Sequence, residues 1–556
     1  MAKSSVANSL TKVSSSAGSG IVAATLPDRS RTLRDVDPPR ENQTPTFSPI
    51  LLSGAPYGVA IRQANFLLPF GLQSPAYGRH GSKVLLFGGR TNGLHTFVRG
   101  GHNFPANQQN TNVVVVDLVA KTVRTRSLSD PSSRLTPQEG DWLSATNQQC
   151  HQVGDVLYVA GGYGVDRETQ TYGTKPVLTA ARVSGLIRWV ENPQRAKRSA
   201  RRHLRFVRDE LFRVAGGEMT QLAPHEPFLL VFGNDFDGEY MGAKPATQVY
   251  TRQVRRFRVL DSGLAPRCRE PGEPRARRPN RRLRVELLEP LAPESPLYRR
   301  RDFNAAPVVV ERPESWRRRR RRRKRSGETA ERCGEGKDAA LALVQFSGVF
   351  TEKNGAWTVP VEISASGVPS TVAAPTDATF RQGMNNYTCA LATFYSRSRR
   401  TTFTTFFGGI SGETYDCARR RYVVDPTLEF SGQCTTVSTS TSTSSSSEVK
   451  HGGTRRHAQY YAGDPFPVLR SNGARLQFGS NAVFVPDPLL DPASFMYAAA
   501  HDVYDLDALE ALVRRKRRVR IGYVIGGIQA VPRTTSGGSP YVFEVFLTRP
   551  PRAPDT

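Results

Sequence analysis

The chain has 556 residues, 38% of them hydrophobic, with 47 glycines and a formal net charge of +28. It holds no run of about 18 apolar residues, which excludes a membrane-spanning helix. Its six cysteines include no Cys-x-x-Cys pair and no metal-like spacing, so neither a zinc module nor a disulfide framework is expected.

Residues 1–55 are polar and rich in Ser and Pro, without apolar periodicity, and are expected to be a disordered tail. The first residues lack the apolar stretch of a signal peptide, so the expected location is intracellular, cytoplasmic or nuclear. "YGVAIRQANF" (57–66) reads as one strand, left over before the repeats begin and expected to pair with the last sheet. Then "SKVLLFGGR" (82–90) runs apolar into a glycine pair, and "GDVLYVAGGYG" (154–164), "TTFTTFFGGIS" (401–411) and "RIGYVIGGIQ" (520–529) repeat the arrangement. "PFLLVFGND" (227–235) and "ALALVQFSGVF" (340–350) keep one glycine of the pair. Six copies of strand-then-glycine are a structural repeat. A glycine pair there allows close backbone approach and dihedrals that a Cβ forbids. Strand periodicity rules out a helical solenoid and predicts an all-β fold, a six-bladed β-propeller of about four strands per blade.

The pattern of apolar strand, Gly-Gly, then a strand ending near Asp is similar to the kelch repeat. "LPFGLQSPAYGRHGSKVLLFGGRTNGLH" (68–95), "LSATNQQCHQVGDVLYVAGGYG" (143–164), "RRRDFNAAPVV" (299–309), "FSGVF" (346–350) and "FFGGIS" (406–411) resemble, in order, single-domain six-bladed bacterial kelch propellers. The resemblance covers roughly 57–550 and implies the fold while saying little of activity. It predicts blades at about 70–128, 143–190, 211–260, 299–365, 385–440 and 473–549 within one propeller spanning 56–550.

The charge lies between the blades. Residues 195–208 hold seven basic side chains and no acid, and 267–284, 312–325 and 514–518 supply most of the remaining excess. Arg/Pro-rich insertions are expected at about 263–297 and 311–339 and a Ser/Thr-rich one at about 433–455, all disordered. Residues 503–518 read as a short helix with acids early and bases late. Arg317, Arg318, Arg319, Arg320, Arg321, Arg322, Arg323, Lys324 and Arg325 form an unbroken basic run. It reads either as a solvated loop or as a nuclear-import or polyanion-binding segment, nucleic acid being the candidate partner.

The nine histidines fall in no ligand-pair spacing, and no GxSxG, P-loop or HExxH pattern occurs, so no catalytic residue, metal or cofactor is expected. Cys389 and Cys417 fall in one blade and could pair, with reduced thiols as the other reading. Polar residues gather where each innermost strand begins: Gln73 and Ser74, Thr146 and Asn147, Arg301, Asp302 and Asn304, Asn386 and Tyr387, Ser480 and Asn481. Arg90, Asn92 and His95 follow the first glycine pair. At a channel mouth such residues either satisfy backbone groups or bind a ligand or peptide. The expected function is a non-catalytic protein-interaction scaffold acting as a monomer, its protein partner unspecified. A carbohydrate-binding or sugar-isomerising propeller and a polyanion binder are the alternatives.

Overall fold

The computed structural model describes residues 55–264, 282–311, 339–443 and 455–550, less short breaks of which the longest is 371–379. Residues 1–54, the run Arg317–Arg325 and Cys417 lie outside them, and so do the expected tail, the polyanion segment and the Cys389–Cys417 alternative. The described chain is mostly β-strand, with three α-helices at Pro137–Leu143, Val183–Glu191 and Leu506–Lys516.

Ten sheets form among the described residues, and the six main ones follow one another along the chain. The first pairs Ala76–His80, Lys83–Phe87, Asn112–Asp117 and Thr122–Ser127 in chain order. The second pairs Gln149–Val153, Val156–Ala160, Pro176–Arg182 and Leu204–Arg213, and the third Glu218–Thr220, Phe228–Val231, Val254–Asp261 and Arg284–Leu288. The fourth has three strands, Asn304–Glu311, Ala339–Phe346 and Val361–Ile363. The fifth orders Arg455–Tyr461, Phe430–Thr443, Thr401–Ile410 and Ala390–Ser396 and continues through Val503–Asp505 to Phe495–Tyr497, six strands in all. The sixth orders Val483–Pro486, Arg518–Ile525 and Tyr541–Thr548, and its outer strand is Gly58–Leu67 from the other end of the chain, with Gly58 opposite Thr548.

The unbroken apolar runs in these strands have a physical cause. Successive side chains of a strand face opposite ways, and here both faces are covered. In "NVVVVD", Val113 and Val115 pack with Val159 and Ala181 of the second sheet. Val114 and Val116 pack the other way, with Val485 and Tyr523 of the sixth. The same sharing joins second to third through Phe212 and Phe257, and third to fourth through Val231 and Leu343. Val344 and Phe406 join fourth to fifth, and Phe407 and Phe484 join fifth to sixth. Each of the six main sheets therefore packs on the next, and the sixth on the first.

Four boundaries differ from the sequence reading. The second blade, expected to end at about 190, runs on to Arg213 through the strand Leu204–Arg213, which takes in part of the basic stretch 195–208 placed between blades. The Ser/Thr-rich stretch expected to be an insertion from about 433 is strand as far as Thr443, and the fifth sheet runs on to Tyr461 rather than ending near 440. Hydroxyl partners explain how so polar a segment lies inside a sheet: Thr435 Oγ1 donates to Asn386 Oδ1 at 3.0 Å, and the Thr405 and Thr436 hydroxyls meet at 2.8 Å. The Arg/Pro-rich insertion placed at 263–297 contains Arg284–Leu288, the outer strand of the third sheet. The helix expected over 503–518 begins at Leu506, capped by Asp505, whose side chain accepts from Ala508 N. Val503–Asp505 instead lies parallel to Thr393–Tyr395.

Candidate functional site

The glycine pairs are explained by what they touch. Both positions of all six pairs have positive φ: Gly88 and Gly89, Gly161 and Gly162, Phe232 and Gly233, Ser347 and Gly348, Gly408 and Gly409, Gly526 and Gly527. The two weaker copies thus keep the left-handed backbone with Phe and Ser in place of the first glycine. In four of the six the second member donates its amide to the segment that leads into the following sheet: Gly89 N to Ala145 O (2.9 Å), Gly162 N to Val214 O (2.8 Å), Gly233 N to Arg300 O (2.9 Å), and Gly527 N to Leu72 O (2.7 Å). A Cβ on Gly161 would lie 1.9 Å from Val214 O. Glycine is what lets each sheet dock on its neighbour.

Two residues after these four carbonyls, and at the matching place before the fifth and sixth sheets, sits a second sixfold element. Ser74, Asn147, Gly216, Asp302, Thr388 and Asn481 have φ of 50°, 53°, 65°, 48°, 50° and 53°. One such residue precedes the innermost strand of every sheet, and four backbone bonds link them: Ser74 N to Asn481 O, Asn481 N to Thr388 O, Gly216 N to Asn147 O, and Asp302 N to Gly216 O. Left-handed backbone suits Gly and Asn and strains Thr. Two cavities meet at these residues, sharing Asn147, Gly216, Asp302, Thr388 and Asn481 in their walls.

The upper cavity, about 130 Å³, is bounded by the loops that follow the glycine pairs. It brings together Arg90, His95, Thr146, Asn147, Arg301, Asp302 and Tyr387 of the expected site. Arg90 is 2% exposed and its guanidinium stacks 4.7 Å from the Phe104 ring centre. Burial lowers its pKa to about 10, leaving it charged at neutral pH. Arg301 lies 3.6 Å from the Asp302 carboxylate, and Asp302 Oδ1 also accepts from Asn147 Nδ2 at 3.3 Å. Burial raises the Asp302 pKa despite the Arg301 charge. His95 packs beside both Phe104 and Tyr240, ring centres 5.4 and 4.6 Å away.

Asn92, Asn304 and Asn386 occupy other places. Asn92 stands behind Arg90, accepting from its Nε at 2.9 Å. Asn304 lines the lower cavity, where its side chain donates to Asn386 O and accepts from Cys389 N. Asn386 is fully buried and spends its amide on Gly408 O and Gln433 O, a structural role rather than a mouth position.

Sequence reasoning missed the aromatic wall of Phe104, Tyr163, Phe236 and Tyr240. Its signal was present: Tyr163 follows the second glycine pair directly, and Phe236 comes three residues after Gly233. Tyr163 is held by its hydroxyl, which donates to Gly238 O at 2.8 Å and accepts from Tyr240 N at 3.0 Å.

The lower cavity, about 340 Å³, is floored by residues from the long connection within the sixth sheet. His501 stacks on His151 of the second sheet with ring centres 5.6 Å apart, and Asp502 takes a 2.7 Å bond from Arg79 of the first. Val503 pairs with Thr393 of the fifth. Burial lowers the His151 pKa to about 3, helped by His501, and the His501 pKa to about 4. Burial raises the nearby Glu218 carboxyl to about 8. Residues 501–505 thus cross beneath the cavity, tied to three sheets. Among the described residues no group of three or more His, Cys, Asp or Glu could hold a metal ion, and no helix is long and apolar enough to cross a membrane.

No protein-family model matches the chain, and no curated protein matches it. Among solved structures it is similar to one titled "Structure of YjhT", at 10% identity and a TM-score of 0.38, over 87% of this chain and 98% of that one. A likeness of that degree carries no argument about function.

Proposed function

We propose that the chain is a six-bladed kelch-type β-propeller and works as a non-catalytic interaction scaffold, recognising its partner at the upper mouth of a central channel. The fold part is supported by the cyclic packing of the six sheets and by two backbone features that recur once per sheet. The single observation carrying the functional part is the upper cavity, where side chains from all six sheets meet under an aromatic wall. Its polar groups are already tied to one another: Asp302 to Arg301 and Asn147, Tyr163 to Gly238 and Tyr240, Asn103 Nδ2 to Tyr240 O at 3.3 Å. Such pre-set donors and acceptors orient a bound group, as recognition requires.

A photo-crosslinking residue at Leu94, on the cavity wall, tests this in cells. A partner captured from Leu94, and not from Val153 at the far end of the second sheet's first strand, is the expected result. Equal capture from both positions would remove the mouth as the recognition surface. Turnover of a panel of sugars that disappears in Asp302→Asn would replace the scaffold reading with the sugar-isomerising one.

A further inference from the structure

Arg90 is 2% exposed, yet no carboxylate among the described residues pairs with it. Its Nε donates to Asn92 Oδ1 at 2.9 Å and one terminal nitrogen to Pro105 O at 3.1 Å. A guanidinium has five N–H donors, so three remain without an acceptor among the described residues. The other cation lining the upper cavity, Arg301, is balanced by Asp302, which leaves one positive charge uncompensated among the described residues of its wall. A buried charge with no counter-ion is costly unless something neutralises it. The fork is also held in place: Asn92 and Pro105 fix two of its edges, and the Phe104 ring supports one face. Pre-orientation of this kind suits a planar acceptor, because guanidinium and carboxylate match edge to edge. Beside it the rings of Phe104, Tyr163, Phe236 and Tyr240 stand edge to face or tilted, centroids 5.3–5.6 Å apart, and give an apolar wall.

We propose that the upper cavity binds a carboxylate borne on a flat apolar body, with Arg90 as its counter-ion and the four rings as its walls. The inference rests on reading this cavity as the recognition site and adds the chemistry of what enters. A free aromatic acid and the C-terminal carboxylate of a partner both present that chemistry.

Calorimetric titration of the full chain tests it with three pairs of probes: benzoate against benzamide, N-benzoylglycine against its amide, and a pentapeptide ending in Phe against its amidated form. Each acid is expected to bind at least about tenfold tighter than its amide, the range of a charge-assisted hydrogen bond. Arg90→Gln should erase that ratio, Arg90→Lys should restore part of it, and the wild-type acid-to-amide ratio needs no variant that must fold. Tightest binding by the peptide acid assigns the carboxylate to a partner's chain end, and tightest binding by the free acids assigns it to a small molecule. Equal binding of acids and amides, reduced by Phe236→Ala, overturns the carboxylate and leaves the cavity as a recognition site. Failure of every probe overturns the inference, and joined to absent crosslinking from Leu94 it overturns the site as well.

Discussion

Asn147 Nδ2 donates to Asp302 Oδ1 at 3.3 Å, joining two residues 155 positions apart that hold the same left-handed backbone at the same point of two different sheets. Between them in the chain, Gly216 occupies the equivalent place in the third sheet, and a Cβ there would lie 2.6 Å from Asp302 Oδ1. The six positions are therefore not equally tolerant.

Gly216→Ala is expected to destabilise the fold by about 2 kcal/mol, combining left-handed strain with displacement of the Asp302 carboxylate. Thr388→Asn should act the other way. It replaces a β-branched residue at φ 50° with the type found at Asn147 and Asn481, and removes a buried hydroxyl without a partner. A gain of roughly 0.5–1 kcal/mol is expected. Denaturant midpoints at unchanged slope read both.

Stability should fall on both sides of a maximum as pH changes. His151 and His501 have folded pKa values of about 3 and about 4, below the unfolded value near 6.5. Their contribution is complete above pH 6.5 and is lost as pH falls towards those values. Glu218, raised to about 8, works in the opposite sense: its contribution is present below its unfolded value and is lost as pH rises through 8. Glu218→Gln should flatten the alkaline limb and leave the acid limb in place. Because Glu218 lines a cavity and is only half-buried, the gain at pH 8.5 is put at roughly 1–2 kcal/mol. Chemical denaturation from pH 4 to 9 measures it, and an unchanged alkaline limb would refute the assignment.

Deleting residues 1–50 is expected to leave the melting temperature within a degree or two, whereas deleting 1–66 removes the outer strand of the sixth sheet and exposes the edge of Tyr541–Thr548. It also removes Tyr57, whose hydroxyl meets Thr405 Oγ1 at 2.8 Å inside the core. The longer truncation should aggregate or unfold. Matching thermal transitions for both would overturn the role given to this strand.

Excising 312–325 removes ten basic side chains and one acid from between the first two strands of the fourth sheet. The far-ultraviolet spectrum should be unchanged, while affinity for DNA or heparin falls and the slope of log affinity against log salt flattens. Unchanged affinity and slope would remove polyanion binding as the role of this run.

Much of this architecture was legible because its strongest signals are local. A strand ending in two glycines announces a close backbone approach whatever surrounds it, and the polar residues before the innermost strands of the first, second, fourth and sixth sheets could be picked out from the same register, whereas Gly216 and Thr388 could not. Other features depended on distant partners. Phe232 and Ser347 adopt left-handed backbone that neither residue type advertises, imposed by docking of the third and fourth sheets on their neighbours. The Ser/Thr run resembles low-complexity sequence by composition, yet threonine's β-branching suits a strand and its hydroxyls find partners on the adjacent strand and in Asn386. Asn386 and Arg90 looked alike as polar residues near the mouth. Only the third dimension separates an amide spent on carbonyls from a guanidinium with donors to spare.

The pairing of Gly58 with Thr548 has a consequence for synthesis. The chain emerges from the ribosome amino end first, at about 5–20 residues per second. The strand Gly58–Leu67 must therefore wait while some 480 further residues are made, roughly 25–100 s, before its partner exists. Throughout that interval its apolar face and hydrogen-bonding edge have no native destination, and the nascent chain holds sheets whose first and last members cannot yet meet. A holding chaperone would act in that window, and a pause in translation there would lengthen the hazard rather than relieve it.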